Sequence, residues 1–348
     1  MGVSWIAQVR PLHFIILAIT TVTFVMYVIY MSNPQPRSTA SPVLSLVALE
    51  IHAPHLNTTL DLSLMKNDSS PDLTRGIPAA VIYQAGHTNS NLNVCLEKGK
   101  NLQLLIIITS APSHETARMA IRQTWGHFAA RRDVAIVFML GSTTNANYQN
   151  VIEKEQFLYG DILQGKFVDT YENLTLKTIS MLEWVKEFCP KSDYVLKTDD
   201  DMFINIPRLL TFIGKRNPES RAIYGRLAKK WKPIRNKKSK YYISPQQYKP
   251  AVFPDFTTGP AYLLPGRLAQ ELYAASLNHT YFKLEDVFLT GIVANDLKIK
   301  RLHASEFLNK RVSLAPCSVQ RGISIHMVKG AEQFDLWKKL LDGHAKCK

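Results

Sequence analysis

The sequence has few of the residues from which small metal- or disulfide-based frameworks are built. Its 348 residues include four cysteines, and none forms a C-x-x-C pair or a cysteine–histidine pattern with the spacing of a metal site. No internal repeat is visible at the spacing of a solenoid. With 46% hydrophobic and 20% charged residues, the composition is that of an ordinary globular protein with a substantial core.

Acidic residues are scarce relative to basic ones. Lys and Arg number 42 against 28 Asp and Glu, which gives a formal net charge of +14. Clustered basic side chains attract phosphates, sulfates and acidic membranes, so this charge favours polyanionic partners. Which polyanion is relevant depends on the compartment in which the chain resides.

A long uncharged run near the N-terminus bears on the compartment. Residues 12–31 contain no Asp, Glu, Lys or Arg, and about 20 helical residues span the roughly 30 Å of a bilayer core. A cleaved secretory signal is the alternative, but the run exceeds the usual apolar region of a signal peptide and no A-x-A-like site follows it. We therefore predict a cytosolic tail at residues 1–11 and a transmembrane signal-anchor at residues 12–31.

Glycosylation sequons and cysteines both favour an oxidising lumen for the rest of the chain. All the N-x-[ST] sequons lie C-terminal to the anchor, at Asn57, Asn67, Asn173 and Asn278. The four cysteines allow up to two disulfides in three possible pairings, among Cys95, Cys189, Cys317 and Cys347. The prediction is a type II membrane protein with a large luminal portion, which argues against nucleic acid as a partner.

Beyond the anchor, the composition divides the chain in two. Residues 32–95 mix Ser, Pro, Asn and Thr without a sustained period, as is typical of a flexible glycosylated stem. Residues 96–348 form the predicted folded domain, in which apolar strand-like runs alternate with helical segments. The strand candidates are residues 102–109, 134–141, 193–198, 222–227 and 323–328, and the helix candidates are 114–125, 174–188, 266–277, 285–297 and 331–342. This alternation predicts an α/β sheet whose ligands bind beyond the carboxyl ends of the strands.

Three consecutive carboxylates, Asp199, Asp200 and Asp201, follow one of these apolar runs. Three adjacent like charges repel one another, so a compensating cation is the simplest explanation. In an extended segment Asp199 and Asp201 point to one side and Asp200 to the other, and such a pair suits Mg²⁺ or Mn²⁺ shared with a diphosphate. The segment lacks the glycine and glutamate of an EF-hand, and the remaining alternative is an acidic turn capping a helix that begins near Ile206.

Other candidate functional residues each have an alternative structural role. Arg118 and Arg122, four residues apart on one helical face, are suited to holding phosphate or a nucleotide carbonyl, or form a salt-bridged surface. Glu285 and Asp286 lie between apolar residues, where one is placed to act as a general base or both favour the first turn of a helix. His326 lies in an apolar strand candidate, where a core histidine is the commoner case.

A basic stretch at residues 229–240 contains seven Lys or Arg and no acid. Such a stretch most often forms a solvated loop. In a lumen, the alternative is a contact with a diphosphate or with an anionic glycan or lipid surface.

Taken in order, these motifs resemble the β-1,3-galactosyltransferase family, the inverting GT-A glycosyltransferases that include β-1,3-N-acetylglucosaminyltransferases. The resemblance covers about residues 95–348. It is carried by ARMAIRQTWG, YGDILQGKFVDTYENLTLKT, YVLKTDDDMFIN, FPDFTTGPAYLL, LEDVFLTG and ISIHMV. It implies a GT-A (Rossmann-like), mixed and mostly parallel sheet flanked by helices, and makes residues 96–348 the catalytic domain.

The resemblance also implies a role for each motif residue. Asp201 is the expected principal ligand of Mn²⁺ bridging the UDP diphosphate, and His326 approaches the same metal. Asp286 is the expected catalytic base, with Glu285 beside it. The expected donor-binding residues are Arg118, Arg122, Asp199 and Asp200, to which we add Lys240 from the basic stretch.

Two motifs depart from the family pattern. The usual G-x-G-Y reads Gly259-Pro260-Ala261-Tyr262, which puts close backbone approach at the second glycine in doubt. The segment from Glu285 to Gly291 is one residue longer than the family's E-D-V-Y-V-G, so the turn after Asp286 is expected to differ.

The resulting hypothesis is a Golgi enzyme that transfers galactose from UDP-galactose in β-1,3 linkage to a terminal N-acetylhexosamine of a glycoprotein or glycolipid. Transfer of N-acetylglucosamine from UDP-N-acetylglucosamine is the alternative within the enzyme class. A catalytically inactive luminal sugar-binding protein is the alternative outside it.

Overall fold

The computed structural model describes residues 76–342 and Cys347. The predicted tail, anchor and most of the predicted stem, with Asn57 and Asn67, lie outside these residues. Within them, no helix is both long and apolar enough to cross a membrane.

The described part of the chain is built on a mixed, eight-stranded sheet with the strand order β1-β4-β3-β2-β5-β8-β7-β9. A second, two-stranded sheet pairs β6 with β10. The strands are β1 (His87–Asn89), β2 (Leu104–Thr109), β3 (Val134–Ser142), β4 (Ile162–Val168), β5 (Tyr194–Asp199), β6 (Phe203–Ile204), β7 (Ala222–Ala228), β8 (Phe256–Pro265), β9 (Lys300–His303) and β10 (Ser324–Ile325). In the large sheet six strands run one way, and β1 and β8 run opposite to their neighbours.

Helices cover both faces of this sheet. The α-helices are α1 (Ala79–Ile82), α2 (Glu115–Arg122), α3 (Ala146–Tyr159), α4 (Leu174–Phe188), α5 (Ile206–Ile213), α6 (Leu268–Asn278), α7 (Ala294–Asp296), α8 (Pro316–Arg321) and α9 (Gly330–Leu341). A π-helix at Val287–Val293 runs directly into α7, and 3₁₀-helices lie at Leu96–Gly99, Trp125–Ala130 and Tyr171–Asn173. The predicted mixed, mostly parallel sheet flanked by helices is confirmed.

The central strands read as continuous apolar runs because both of their faces are buried. All six residues of β2 are buried, with Leu105 and Ile107 in the core on one face and Ile106 and Ile108 in the core on the other. The helix α4 packs over the first of these faces and contributes eleven buried residues. This two-sided burial fixes the carboxyl ends of β2 and β5 side by side.

The structure adds strands that the sequence patterns did not predict. The strand β8 is a long central strand, although Gly259 and Pro260 interrupt its sequence. Proline fits there because the β7–β8 register shifts between Gly225 and Leu227, at the point where Pro260 needs no ladder hydrogen bond. The strand predicted at residues 323–328 is limited to β10, so His326 lies just beyond a strand and not within one.

The folded part extends N-terminal to residue 96, where we placed the start of the catalytic domain. Strand β1 pairs with β4, and Ala79 of α1 is fully buried. Of the three possible disulfide pairings, the structure has Cys95–Cys189 and Cys317–Cys347. Residues 76–95 are therefore held in the same fold by both a strand pair and a covalent link.

Candidate active site

Strands β2, β5 and β8 bring the candidate residues to one edge of the sheet. Strands β2 and β5 pair in parallel with Thr109 opposite Asp199, so both strands end at the same level. There the Thr109 hydroxyl donates to Asp199 Oδ1 over 2.7 Å. Strand β8 runs antiparallel to β5, and its Gly259 lies at the same edge.

The three aspartates have different partners, although only Asp199 belongs to the strand and Asp200 and Asp201 lie in the turn that follows it, so the predicted extended segment ends at Asp199. Asp199 Oδ1 accepts from the ammonium group of Lys197 at 2.6 Å. Asp200 Oδ2 accepts from the Ser110 hydroxyl at 2.6 Å and lies 2.8 Å from His114 Nδ1. Hydrogen bonding to the Asp200 carboxylate raises the pKa of His114. Asp201 lies on the side of Asp199, facing His326.

Asp199, Asp201 and His326 form a cluster with the geometry of a cation site. One potential ligand atom from each residue lies within 4.8 Å of the others, and His326 Nε2 is 3.3 Å from Asp201 Oδ2. Among the described residues, the second oxygen of Asp199 has no hydrogen-bond donor, which leaves it available as a ligand. Two carboxylates and an imidazole suit a divalent cation with mixed oxygen and nitrogen ligands.

The backbone holds His326 in this position. The Val328 amide donates to the Asp201 carbonyl over 2.9 Å, and β10 pairs with β6 just beyond the aspartates. Between β10 and Val328, Met327 has φ of 61°, a left-handed conformation that is uncommon for a non-glycine residue. Such a conformation persists only where surrounding contacts enforce it, as they do here.

A buried lysine connects the cation cluster to the pair Glu285 and Asp286. The Lys197 ammonium group donates to Asp199, to the Gly259 carbonyl at 2.9 Å and to Glu285 Oε1 at 3.1 Å. Burial alone would lower the pKa of Lys197, but the charges of Asp199 and Glu285 raise it, so the side chain stays a cation. Lys197 was not predicted from the sequence, although a lysine two positions before Asp199 in an apolar strand is a usable signal.

The two neighbouring carboxylates differ in exposure. Glu285 is buried, and its Oε2 accepts from the hydroxyls of Thr178 at 3.1 Å and Tyr262 at 3.2 Å. Burial raises the pKa of Glu285 to about 7, against the opposing charge of Lys197. Asp286 is half-buried, and the amides of Gly259 and Val287 each donate to one of its oxygens at 2.9 Å. Burial raises the pKa of Asp286 as well, although these two amides lower it.

Both departures from the family motifs have a structural explanation. A Cβ on Gly259 would lie 3.0 Å from Glu285 Oε1, so this glycine retains the close backbone approach, whereas Ala261 is buried within β8 opposite Thr198. The extra residue between Asp286 and Gly291 is accommodated by the π-helix, whose turn is wider than that of an α-helix.

The two arginines contact protein groups. Arg118 is fully buried, and its guanidinium group donates to Glu155, to the Ser110 hydroxyl and to the carbonyls of residues 111 and 112. Arg122 pairs with Glu155 and Asp161, the latter lying at the amino-terminal side of β4. Arg118 thus contacts the site indirectly, by donating to the Ser110 hydroxyl that bonds to Asp200, whereas the partners of Arg122 are Glu155 and Asp161.

Lys240 lies at the rim of the site. Its ammonium group is 5.4 Å from the centre of the Tyr171 ring and 5.0 Å from that of Tyr241. Burial raises the pKa of Tyr171, and the nearby Tyr241, Asp286 and Asp199 raise it further. Tyr171 is therefore near both Lys240 and these carboxylates.

The two described sequons differ in accessibility. Asn278, at the end of α6, is exposed. Asn173 is half-buried and donates to the Val168 carbonyl at 2.9 Å. Glycosylation at both positions stays a prediction.

Comparisons with known proteins agree with the motifs. Residues 116–305 match the galactosyltransferase family. The chain is 36% identical over 242 residues to beta-1,3-galactosyltransferase 5 of Homo sapiens, covering 68% of this chain and 78% of the relative. It is 34% identical over 254 residues to UDP-GlcNAc:betaGal beta-1,3-N-acetylglucosaminyltransferase 7 of Rattus norvegicus, covering 68% and 64%. Among solved structures, a galactosyltransferase LgtC in complex with donor and acceptor sugar analogs gives a TM-score of 0.38 at 8% identity, covering 68% and 96%. From the family match and the two relatives, the chain belongs to the galactosyltransferase family.

Proposed function

We propose that this glycosyltransferase transfers galactose from UDP-galactose, with inversion, in β-1,3 linkage to a terminal N-acetylhexosamine. The observation that carries the proposal is the position of Asp286, a half-buried carboxylate beside a cation-type cluster at the carboxyl edge of the sheet. Transfer of N-acetylglucosamine is the second candidate, because relatives of both names match at similar identity.

Asp286 is the base in this mechanism. An inverting displacement requires removal of a proton from the acceptor hydroxyl on the face opposite the leaving group. The amides of Gly259 and Val287 fix both oxygens of Asp286, and burial raises its pKa, which increases its basicity. Glu285 is less accessible and is hydrogen-bonded to Lys197, Thr178 and Tyr262. We therefore assign it a supporting role next to Asp286 and not the role of the base.

The cluster of Asp199, Asp201 and His326 would hold a divalent cation, for which we propose Mn²⁺. When bound, such an ion supplies Lewis-acid stabilisation of the negative charge that develops on the departing diphosphate. Asp200, which bonds to Ser110 and His114 and is not part of this cluster, marks the side of the site where we place the nucleotide.

The same hypothesis places the enzyme in the Golgi membrane, with a single anchor and its catalytic domain in the lumen. Its acceptors would be glycans of glycoproteins or glycolipids. The two disulfides support a luminal setting, since such bonds persist in oxidising compartments.

A transfer assay tests the reaction. The full-length protein with Mn²⁺ would be offered UDP-galactose or UDP-N-acetylglucosamine and acceptors ending in N-acetylglucosamine, N-acetylgalactosamine or galactose. We expect galactose transfer to an N-acetylhexosamine. Transfer of N-acetylglucosamine alone would favour the second candidate, and no turnover with any donor would favour a sugar-binding protein.

Two variants test the residue roles. We expect Asp286→Asn to lower kcat about a thousandfold, because the base is lost, while UDP still binds, because the cation cluster keeps all its residues. Asp201→Ala is expected to weaken metal-dependent UDP binding itself. Wild-type turnover by Asp286→Asn would refute the assignment of the base.

A further inference from the structure

A strongly basic segment beside the site has no role in the mechanism above. From residue 220 to residue 254 the sequence has ten Lys or Arg and no acidic residue. Residues 229–255, here called the basic segment, connect the end of β7 to the start of β8. Because β7 runs parallel to β5, the basic segment lies at the same edge of the sheet as the aspartates.

Hydrogen bonds and side-chain packing hold the basic segment in a defined conformation. Ile243 is buried, and its amide donates to the Ile234 carbonyl over 3.0 Å. The Arg235 guanidinium group donates to the carbonyls of Ile243 and Tyr248 at 2.8 and 2.7 Å. Tyr248 packs in turn on Phe282, three residues before Glu285, with ring centres 5.7 Å apart. The segment is thus attached to the active-site chain by backbone and aromatic contacts.

Its lysines are left without compensating charge. All seven are exposed, and within residues 76–342 none forms an ion pair: Lys229, Lys230, Lys232, Lys237, Lys238, Lys240 and Lys249. Uncompensated like charges on a fixed scaffold repel one another and create a positive potential at this edge. A polyanion bound there would relieve the repulsion.

Exposed aromatic rings lie among these charges. Trp231 is 53% exposed and Tyr241 is 44% exposed. The Trp231 ring lies 5.5 Å from that of Phe256, the first residue of β8. Gly259, which holds Asp286, is three residues further along β8, or roughly 10 Å. Flat apolar ring faces offer a surface on which sugar rings can pack.

The position of the basic segment favours the acceptor over the nucleotide. In the strand order β2-β5-β8-β7, Ser110 and Asp200 lie on the β2 side of Asp286, whereas the basic segment lies on the β7 side. A lipid surface bound at this edge would block access of an acceptor to Asp286. An acidic glycan would instead extend from Asp286 across Trp231 toward the lysines.

We propose that the basic segment binds the sulfate or carboxylate groups of an anionic glycan acceptor, so that this enzyme prefers acidic over neutral acceptors. This inference rests on the proposed function, because it assumes that the acceptor terminus lies at Asp286. It assigns acceptor specificity to a surface outside the reacting groups.

The test compares charge variants of the full-length protein with matched acceptors. The variant Lys232→Gln/Lys237→Gln/Lys238→Gln removes three charges from the basic segment. The control Lys100→Gln/Lys154→Gln/Lys300→Gln removes three exposed charges elsewhere. The acceptors are one N-acetyllactosamine-type oligosaccharide ending in N-acetylglucosamine, in unmodified, internally sulfated and internally sialylated forms. Binding and initial transfer rates are both measured.

For the wild type and the control, we expect the KM for the acidic acceptors to be roughly fivefold lower than the KM for the unmodified acceptor. A few exposed charge pairs provide a difference of this size. The preference should shrink as salt rises, and in the basic-segment variant it should disappear with kcat unchanged. Equal KM values for neutral and acidic forms in the wild type would overturn the inference while leaving the proposed function intact.

Two other outcomes separate the hypotheses. Preferential binding of the acidic forms without transfer would support the binding surface and contradict the proposed function. A basic-segment variant that keeps the acidic preference, but loses the increase in binding that phosphatidylserine gives over pure phosphatidylcholine vesicles, would identify a membrane partner and overturn the inference.

Discussion

Two networks of buried charge lie next to each other in this protein and differ in how completely their groups are paired. In the first, Arg118 and Arg122 satisfy Glu155 and Asp161, and Arg118 is fully buried. In the second, Lys197 alone faces Asp199, Glu285 and, through Gly259, Asp286. The first network has balanced charge and the second has an excess of carboxylate.

This difference in charge pairing indicates which charged motif can bind a ligand. A saturated network stabilises the fold and presents nothing to a ligand, whereas an excess of carboxylate attracts a cation and shifts pKa values. Both networks begin as similar sequence signals, namely charged residues set among apolar ones. Only the three-dimensional pairing separates them.

The largest stability effect is expected in the saturated network. Arg118→Met should lower the free energy of unfolding by about 3–5 kcal/mol, because it leaves Glu155 charged and buried without its main partner. Chemical denaturation followed by circular dichroism would measure this. Adding Glu155→Gln should recover part of the loss. Arg131→Met, at an exposed pair with Asp133, serves as the control and should leave the unfolding midpoint unchanged.

Activity of the same variant sharpens the comparison. The folded fraction of Arg118→Met should retain UDP binding, since all five N–H donors of the Arg118 guanidinium group already bond to Glu155, the Ser110 hydroxyl and two backbone carbonyls. Unchanged stability with complete loss of UDP binding would contradict the structural role and restore the arginine to the nucleotide site.

The next effect concerns pH and the carboxylate-rich network. The pKa of Glu285 is raised by burial from 4.5 to about 7, so the folded state binds the Glu285 proton more tightly than the unfolded state does. Its contribution to stability is therefore full below pH 4.5 and is lost as pH rises to about 7. Relative to Glu285→Gln, the wild type should lose roughly 3 kcal/mol of unfolding free energy across this window. Denaturant titrations at several pH values would measure the difference, and a difference independent of pH would contradict it.

Much of the fold was predictable because its central strands are buried on both sides. The runs at β2 and β3 are almost continuously apolar and β5 begins with an apolar run, and strand–helix alternation identified the mixed sheet. Strand β8 escaped prediction because Gly259 and Pro260 are turn residues in most contexts, and only its register beside β7 makes them tolerable.

The site was predictable where chemistry is carried by adjacent residues. The aspartate triplet and the pair Glu285 and Asp286 were visible as charge in apolar surroundings. The position of His326 depended on the family resemblance, since its backbone turn at Met327 has no sequence signature. Lys197 and Ser110 were missed because their roles arise from contacts between distant strands.

Ser110 connects the first network to Asp200, which directly follows Asp199 of the second network, and the removal of its hydroxyl is the smallest expected change. Its hydroxyl donates to Asp200 at 2.6 Å and accepts from Arg118 at 3.0 Å. Ser110→Ala should cost about 1 kcal/mol of stability, as one buried hydrogen-bonding group does, and should also raise the KM for the UDP-sugar because Asp200 loses a donor. Ser192→Ala is the matched control, since its buried hydroxyl donates only to the Cys189 carbonyl at 3.0 Å and its loss should leave KM unchanged. If both variants lose the same stability but only Ser110→Ala changes the KM, the first network supports the carboxylate that binds the donor. Identical KM values in both variants would show that the two networks act independently.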